Sequence, residues 1–125
     1  MLEIKPSVLI IENNSPTLEL YRRELSRDFK VLACSEIAEA MALVNTPNLS
    51  VVVLEPEISN GQGWNLLSDQ RLFFCGSSIP IILCSTLDER KRGLEAGAVD
   101  FLVKPVLPPV LVETIHRVIR SFSKV

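Results

Sequence analysis

The sequence predicts an α/β fold in which a five-stranded parallel sheet is covered by helices on both faces. Short apolar runs rich in valine and isoleucine indicate strands that are buried on both sides, as in parallel sheets. A helical segment follows each run after a short connection, and right-handed crossovers then place helices on both faces. Since no repeat, low-complexity tract or internal linker interrupts this pattern, we expect one domain over residues 1–125.

Five apolar segments are predicted as strands. The clearest is the third, because three consecutive valines and a leucine leave no polar face for solvent. A proline near the start of the fourth is tolerated there, where a missing N–H does little harm. The predicted strands cover residues 7–11, 30–34, 51–54, 79–84 and 99–103.

Helix boundaries are predicted from capping residues. Ser15 supplies an N-cap and Pro16 a first helical residue, and Ser35 caps the second helix. Gly97 follows the fourth helix as a C-cap, and Pro109 opens the fifth. The predicted helices cover about residues 16–28, 36–44, 64–74, 89–96 and 109–122.

Composition excludes several classes of protein. A net charge of −2 and a pI near 5.4 leave no basic surface for nucleic acid or anionic lipid. No apolar run approaches the roughly 18 residues of a membrane span, and the N-terminus lacks the apolar region of a signal peptide. We interpret Cys34, Cys75 and Cys84 as buried free thiols, which favours a reducing, cytoplasmic location.

Polar side chains follow the predicted strands at their carboxyl ends. Glu12 and Asn13 follow the first strand, Glu55 the third, Ser85 the fourth and Lys104 the fifth. In open α/β sheets, ligands bind at this edge, so the five residues would form an anion or metal site if the first strand is central. The alternative for Glu55 is that it merely ends a strand and faces water.

In this order, with Phe101 three residues before Lys104-Pro105, these motifs identify a resemblance to the receiver domain of bacterial response regulators. The resemblance covers about residues 7–122. It implies a flavodoxin-like sheet of order 2-1-3-4-5. In that family an acidic pair after the first strand helps to hold Mg²⁺, and an aspartate after the third accepts a phosphoryl group from a histidine kinase.

The resemblance assigns roles to further residues. Ser85 matches the switch hydroxyl and Phe101 the switch aromatic residue. Lys104 matches the family's lysine, and its bond to Pro105 is expected to be cis. The backbone carbonyl of Glu57 matches a position that faces the metal. Glu12, Asn13 and this carbonyl are the equivalents of the metal-binding groups.

Two departures from the family pattern decide the predicted function. Glu55 stands where the phosphoacceptor aspartate belongs, and Asn13 stands where a carboxylate binds Mg²⁺, which leaves Glu12 alone after the first strand. Losing a carboxylate weakens a site for a hard cation. The extra methylene of Glu55 moves its carboxylate outward by roughly 1.5 Å, and misplacement on this scale can cost about 10²-fold in rate.

The sequence therefore predicts an atypical receiver that binds protein partners without phosphorylation. Glu55, facing Lys104 and Ser85, would imitate part of a phosphoaspartate, although a phosphoryl group carries more charge and more oxygens. We expect no enzymatic activity, no catalytic residue, no cofactor and at most weak Mg²⁺ binding. Partners would be a histidine kinase or an output domain or protein, with homodimerisation as a further expectation and no direct contact with nucleic acid or membrane.

Two alternatives remain open at this point. The first is a conventional Mg²⁺-dependent phosphoacceptor with weakened chemistry. The second is a flavodoxin-like module that binds a small ligand. The segment between Ser85 and Gly97 is also shorter than the family pattern, which puts the usual dimer in doubt. Its charged residues 88–92 are interpreted as a solvated face, with a docking patch as the alternative.

Overall fold

The computed structural model, which describes residues 4–68 and 79–122, has the predicted α/β architecture. All strand pairs are parallel, and the strand order is β2-β1-β3-β4-β5, as the resemblance implied. The strands are β1 (Ser7–Ile11), β2 (Lys30–Cys34), β3 (Leu49–Leu54), β4 (Ile81–Ser85) and β5 (Asp100–Val103). The helices are α1 (Ser15–Leu25), α2 (Ile37–Leu43), α3 (Ile58–Gly61), α4 (Arg90–Glu95) and α5 (Pro108–Phe122), and a 3₁₀ helix (Gln62–Ser68) follows α3.

The sheet separates two apolar clusters, and alternate residues of each central strand enter opposite clusters. Val51 and Val53 of β3 face the cluster that α1 and α5 cover, whereas Val52 and Leu54 face the other. The second cluster contains residues of α2, α3 and the 3₁₀ helix. Burial on both sides explains why the β3 sequence is apolar at four consecutive positions.

The register aligns the carboxyl ends of the strands. Ile11 at the end of β1 pairs with Cys34 on one side and Leu54 on the other. The amide of Glu55 donates to the Ile11 carbonyl at 2.9 Å, and the amide of Lys104 donates to the Ser85 carbonyl at 2.8 Å. The backbone ladder therefore extends past the strands and fixes the first residues of the following loops.

Two predicted helix caps are wrong. Asn14, not Ser15, caps α1, because its extended backbone lets the side-chain oxygen accept from the Thr17 amide at 3.0 Å. Ser15 is then the first helical residue, and α1 ends at Leu25 rather than near residue 28. Glu36 occupies the N-cap of α2 and makes no capping bond through its side chain, so Ser35 does not cap this helix. Asparagine and serine are comparable N-caps, so the sequence pattern left the position ambiguous by one residue.

The chain after β3 differs from the prediction. Instead of one helix starting at residue 64, α3 and the 3₁₀ helix fill 58–68, with Ser59 and Asn60 in the left-handed region at φ 54° and 58°. Gly63 is required, since a Cβ there would lie 2.7 Å from the Pro56 carbonyl oxygen. The predicted continuation to residue 74 and the expected burial of Cys75 fall outside the described residues.

The remaining boundaries lie close to the prediction. β4 and β5 begin at Ile81 and Asp100, later than expected, and α5 begins one residue earlier, at Pro108. Gly97 has φ 112° and donates its amide to the Leu94 carbonyl, which is the expected glycine C-cap. Across residues 4–68 and 79–122, no helix has the length and apolar character needed to span a bilayer.

Candidate functional site

The carboxyl edge of the sheet brings together Glu12, Glu55 and Lys104. The Lys104 ammonium donates to Glu55 Oε1 at 2.9 Å and also to Glu12 Oε1. The side chains are 3%, 8% and 11% exposed for Glu12, Glu55 and Lys104, respectively. Glu55 therefore does not face water, so the alternative that it merely ends β3 at the surface is wrong.

The local backbone holds both carboxylates in place. The Asn14 amide donates to Glu12 Oε2 at 3.0 Å, and the Glu57 amide donates to Glu55 Oε2 at 3.1 Å. Each carboxylate thus offers one oxygen to Lys104 and the other to the amide two residues ahead. Charged acceptors with this many donors are well satisfied despite burial.

The electrostatics of Lys104 reflect this arrangement. Burial alone would lower the pKa of Lys104, but its hydrogen bonds to Glu12 and Glu55 and their negative charges outweigh burial and raise the pKa above its ordinary value. The lysine is therefore a fixed cation between two carboxylates at neutral pH. Burial also raises the pKa of the neighbouring Cys84 thiol to about 12, so the thiol stays protonated and inert.

Ser85 ends β4, and Phe101 lies within β5. Ser85 is fully buried, and its hydroxyl accepts from the Leu87 amide at 3.2 Å; none of the described hydrogen bonds joins it to Glu55. The facing contact of Glu55 with Lys104 is present, and the facing of Glu55 toward Ser85 stays a prediction. Phe101 is 1% exposed, and the Lys104–Pro105 bond is cis, as the resemblance implied.

The other two predicted metal-facing groups make no hydrogen bond to Glu12, Glu55 or Lys104 among the described residues. Asn13 is exposed, and its side chain takes part in none of the hydrogen bonds of the described residues. The backbone carbonyl of Glu57 accepts from the Gly61 amide at 3.1 Å. The Glu57 carboxylate accepts from Trp64 Nε1 at 2.9 Å, a contact that the sequence analysis missed. A spacing of seven residues across irregular backbone gave no signal for it.

The donor set fits Mg²⁺ poorly in this arrangement. Mg²⁺ needs oxygen ligands in tight octahedral geometry, usually with one or two carboxylates available to it. The carboxylates of Glu12 and Glu55 both contact the Lys104 ammonium, and Asn13 brings no charge. In the described part of the chain, no three His, Cys, Asp or Glu side chains lie together as a metal site.

A doubly wound parallel sheet with an acid–lysine pocket at its carboxyl edge defines the class of this protein as a flavodoxin-like α/β domain. A family model described as the response regulator receiver domain matches residues 8–116. The chain belongs to this family, and it is a receiver domain of two-component signalling.

Curated relatives agree with this membership. The chain is 31% identical over 127 residues to a probable transcriptional regulator ycf27 of Guillardia theta, a match that covers 98% of this chain and 49% of the relative. It is 27% identical over 120 residues to the phosphate regulon transcriptional regulatory protein PhoB of Escherichia coli, with 93% and 52% covered. The chain therefore spans about half the length of these relatives.

Solved structures have the same fold. The non-phosphorylated HemR receiver domain of Leptospira biflexa superposes with a TM-score of 0.78 at 27% identity, covering 92% of this chain and 94% of that one. The receiver domain of the Francisella response regulator 1452 superposes with a TM-score of 0.81 at 23% identity, covering 94% and 98%. At the lower identity the likeness concerns the fold alone.

Proposed function

We propose that this receiver domain regulates protein partners without accepting a phosphoryl group, with Glu55 as a permanent, partial substitute for phosphoaspartate. One observation carries the proposal: Lys104 bridges the buried carboxylates of Glu12 and Glu55. In this arrangement the pocket is already closed by a cation of the chain itself. The Lys104 ammonium offsets one of the two negative charges without a metal ion.

The geometry of Glu55 disfavours nucleophilic attack on phosphorus. Phosphoryl transfer depends on in-line positioning and on metal ions that neutralise the developing charge. One Glu55 oxygen contacts the Lys104 ammonium at 2.9 Å, and the other accepts from the Glu57 amide at 3.1 Å. These two bonds fix the orientation of the carboxylate, and Asn13 supplies no negative charge to help hold a metal ion beside it.

The same bonds support partial mimicry. A phosphoryl group near neutral pH carries roughly −1.5 to −2 charge and three acceptor oxygens. The Glu55 carboxylate brings one negative charge into contact with Lys104, and Glu12 brings a second to the same ammonium. We propose that these contacts hold the edge of the sheet in one conformation continuously.

The output of such a module is binding. The curated relatives are named transcriptional regulators and are about twice as long as this chain, so we propose an output domain or output protein as one partner and a histidine kinase as another. We propose a cytoplasmic location, no enzymatic activity and no tightly held cofactor. Homodimerisation stays a prediction.

A Mg²⁺ titration followed by amide NMR tests this proposal. We expect the amides of Glu12, Glu55 and Lys104 to keep their chemical shifts at millimolar Mg²⁺ in the wild type. The matched control is the double variant Asn13→Asp, Glu55→Asp, which restores the family's carboxylates and is expected to respond. Saturable shifts of these amides in the wild type would contradict the proposal and favour the conventional, weakened phosphoacceptor.

A further inference from the structure

A second set of contacts leads from the pocket to α4. The Glu57 residue contributes twice: its amide donates to Glu55 Oε2 at 3.1 Å, and its carboxylate accepts from Trp64 Nε1 at 2.9 Å. The guanidinium carbon of Arg92, on α4, lies 3.8 Å from the centroid of the Trp64 ring. Glu57 and Trp64 therefore link the Glu55 carboxylate to this helix through described contacts.

Helix α4 depends on such contacts for its position. It has six residues, and its N-cap Glu89 makes no capping bond through its side chain. Helices this short are not stable by themselves in water, so tertiary contacts must place them. On its inner side Gly93 packs closely, since a Cβ there would lie 2.8 Å from atoms of both Leu83 and Phe101.

Arg92 supplies the contact on the other side of α4. Its side chain is 56% exposed, so burial does not fix it. Two contacts hold its guanidinium in place, namely the stack on Trp64 and an ion pair with Glu89 at 3.3 Å. A planar guanidinium suits both contacts at once, which an ammonium does not.

We propose that Glu57, Trp64 and Arg92 are positioning residues that couple the Glu55 carboxylate to the placement of α4. The inference rests on the proposed function in one respect, that α4 belongs to the surface presented to partners. The coupling is reciprocal, so a change at Arg92 is felt in the pocket and a change at Glu55 is felt on α4. Through this coupling, the state of the Glu55 carboxylate determines the position of α4 without a phosphoryl group.

The indole of Trp64 makes the coupling measurable. Trp64 is the single tryptophan of the chain, so ¹⁵N-labelled protein gives one indole N–H signal. We expect Glu55→Gln and Arg92→Lys each to shift this signal, and Glu55→Gln also to shift the amides of α4. In a Glu57→Gln background, which weakens the indole hydrogen bond, the effect of Glu55→Gln on α4 should be lost. Arg90→Lys is the matched control, because it makes the same exchange on the same helix while the described stack on Trp64 involves Arg92.

Three results would overturn the proposal. If Glu55→Gln left the α4 amide signals unshifted, there would be no coupling between the pocket and α4. If Glu55→Gln shifted them equally in the wild-type and Glu57→Gln backgrounds, the coupling would not pass through the Glu57 side chain. An Arg90→Lys effect on the indole as large as that of Arg92→Lys would show that the shift does not depend on the stack of Arg92 on Trp64. If Glu55→Gln does not fold, Glu55→Asp serves instead, since the shorter side chain moves the carboxylate relative to Lys104 while keeping its charge. All measurements use unphosphorylated protein without Mg²⁺, so the inference can fail while the proposed function stands, and the reverse.

Discussion

Two sets of ion pairs in this domain have similar geometry and different surroundings. On α1, Arg22 and Glu19 lie 3.0 Å apart, and their side chains are 55% and 61% exposed. In the pocket, Lys104 and Glu55 lie 2.9 Å apart, and their side chains are 11% and 8% exposed. Exposed pairs contribute about 0–1 kcal/mol to stability, whereas removing one partner of a buried pair leaves a desolvated charge and costs about 3–5 kcal/mol. The distance between two charges therefore says little until their burial is known.

Removing Lys104 gives the largest expected effect. The substitution Lys104→Met keeps much of the side-chain volume but leaves the Glu12 and Glu55 carboxylates buried beside each other without a cation. We expect a loss of about 3–5 kcal/mol in the free energy of unfolding, measured by urea denaturation. A loss below about 1 kcal/mol would show that the pocket behaves like the surface pairs.

Removing one carboxylate should cost less than removing the lysine. In Glu12→Gln or Glu55→Gln, Lys104 keeps one charged partner, and the amide oxygen of Gln can still accept a hydrogen bond. We expect the free energy of unfolding of each variant to fall by about 1–3 kcal/mol in the same urea experiment. This is the range for losing a hydrogen bond to a charged group or for leaving a buried polar group without a partner. If either variant matched Lys104→Met, the lysine would depend on that carboxylate alone rather than on both.

Alkaline pH tests the effect of burial in another way, because two buried thiols keep protons that the unfolded chain releases. Burial raises the pKa of Cys84 from 9.0 to about 12 and that of Cys34 from 9.0 to about 11. Above pH 9 the unfolded state thus binds fewer protons than the folded state, so stability must fall as pH rises. We expect a slope of up to about 1.4 kcal/mol per pH unit for each thiol between pH 9 and 11. Urea denaturation across this window should show a shallower slope in Cys84→Ala, and an unchanged slope would contradict the assignment.

The surface pair gives the smallest expected effect and is the matched control for the pocket. Arg22→Gln removes the cation of an i, i+3 pair on α1 without leaving a buried charge. We expect a change in unfolding free energy below about 0.5 kcal/mol, which added salt reduces further. A change as large as that of Glu55→Gln would remove the distinction between the two regions.

The sequence allowed the sheet and its edge to be predicted because both depend on patterns that are local. Apolar runs mark the strands, and the residue after each run must lie at the carboxyl edge of a parallel sheet. The Glu55–Lys104 contact was predicted in this way. The bond from Lys104 to Glu12 was missed, because a long side chain can reach either neighbouring strand and its direction depends on packing.

The errors lie where local signals compete or are silent. Asn14 and Ser15 are both good N-caps, and the choice between them depends on the backbone that leaves β1. The irregular path after β3 depends on Ser59 and Asn60 in the left-handed region. Serine seldom adopts this conformation, so the sequence did not indicate it. The Glu57–Trp64 bond depends on that path, so it was equally hidden.

Intact mass spectrometry after incubation with acetyl phosphate and Mg²⁺ tests the central claim most directly. The wild type is compared with the double variant Asn13→Asp, Glu55→Asp under the same conditions. We expect the variant to gain one phosphoryl mass and the wild type to gain none, because the Glu55 oxygens are held by Lys104 and the Glu57 amide. A phosphoryl gain in the wild type would contradict the account, and peptide mapping would then identify the residue that carries it.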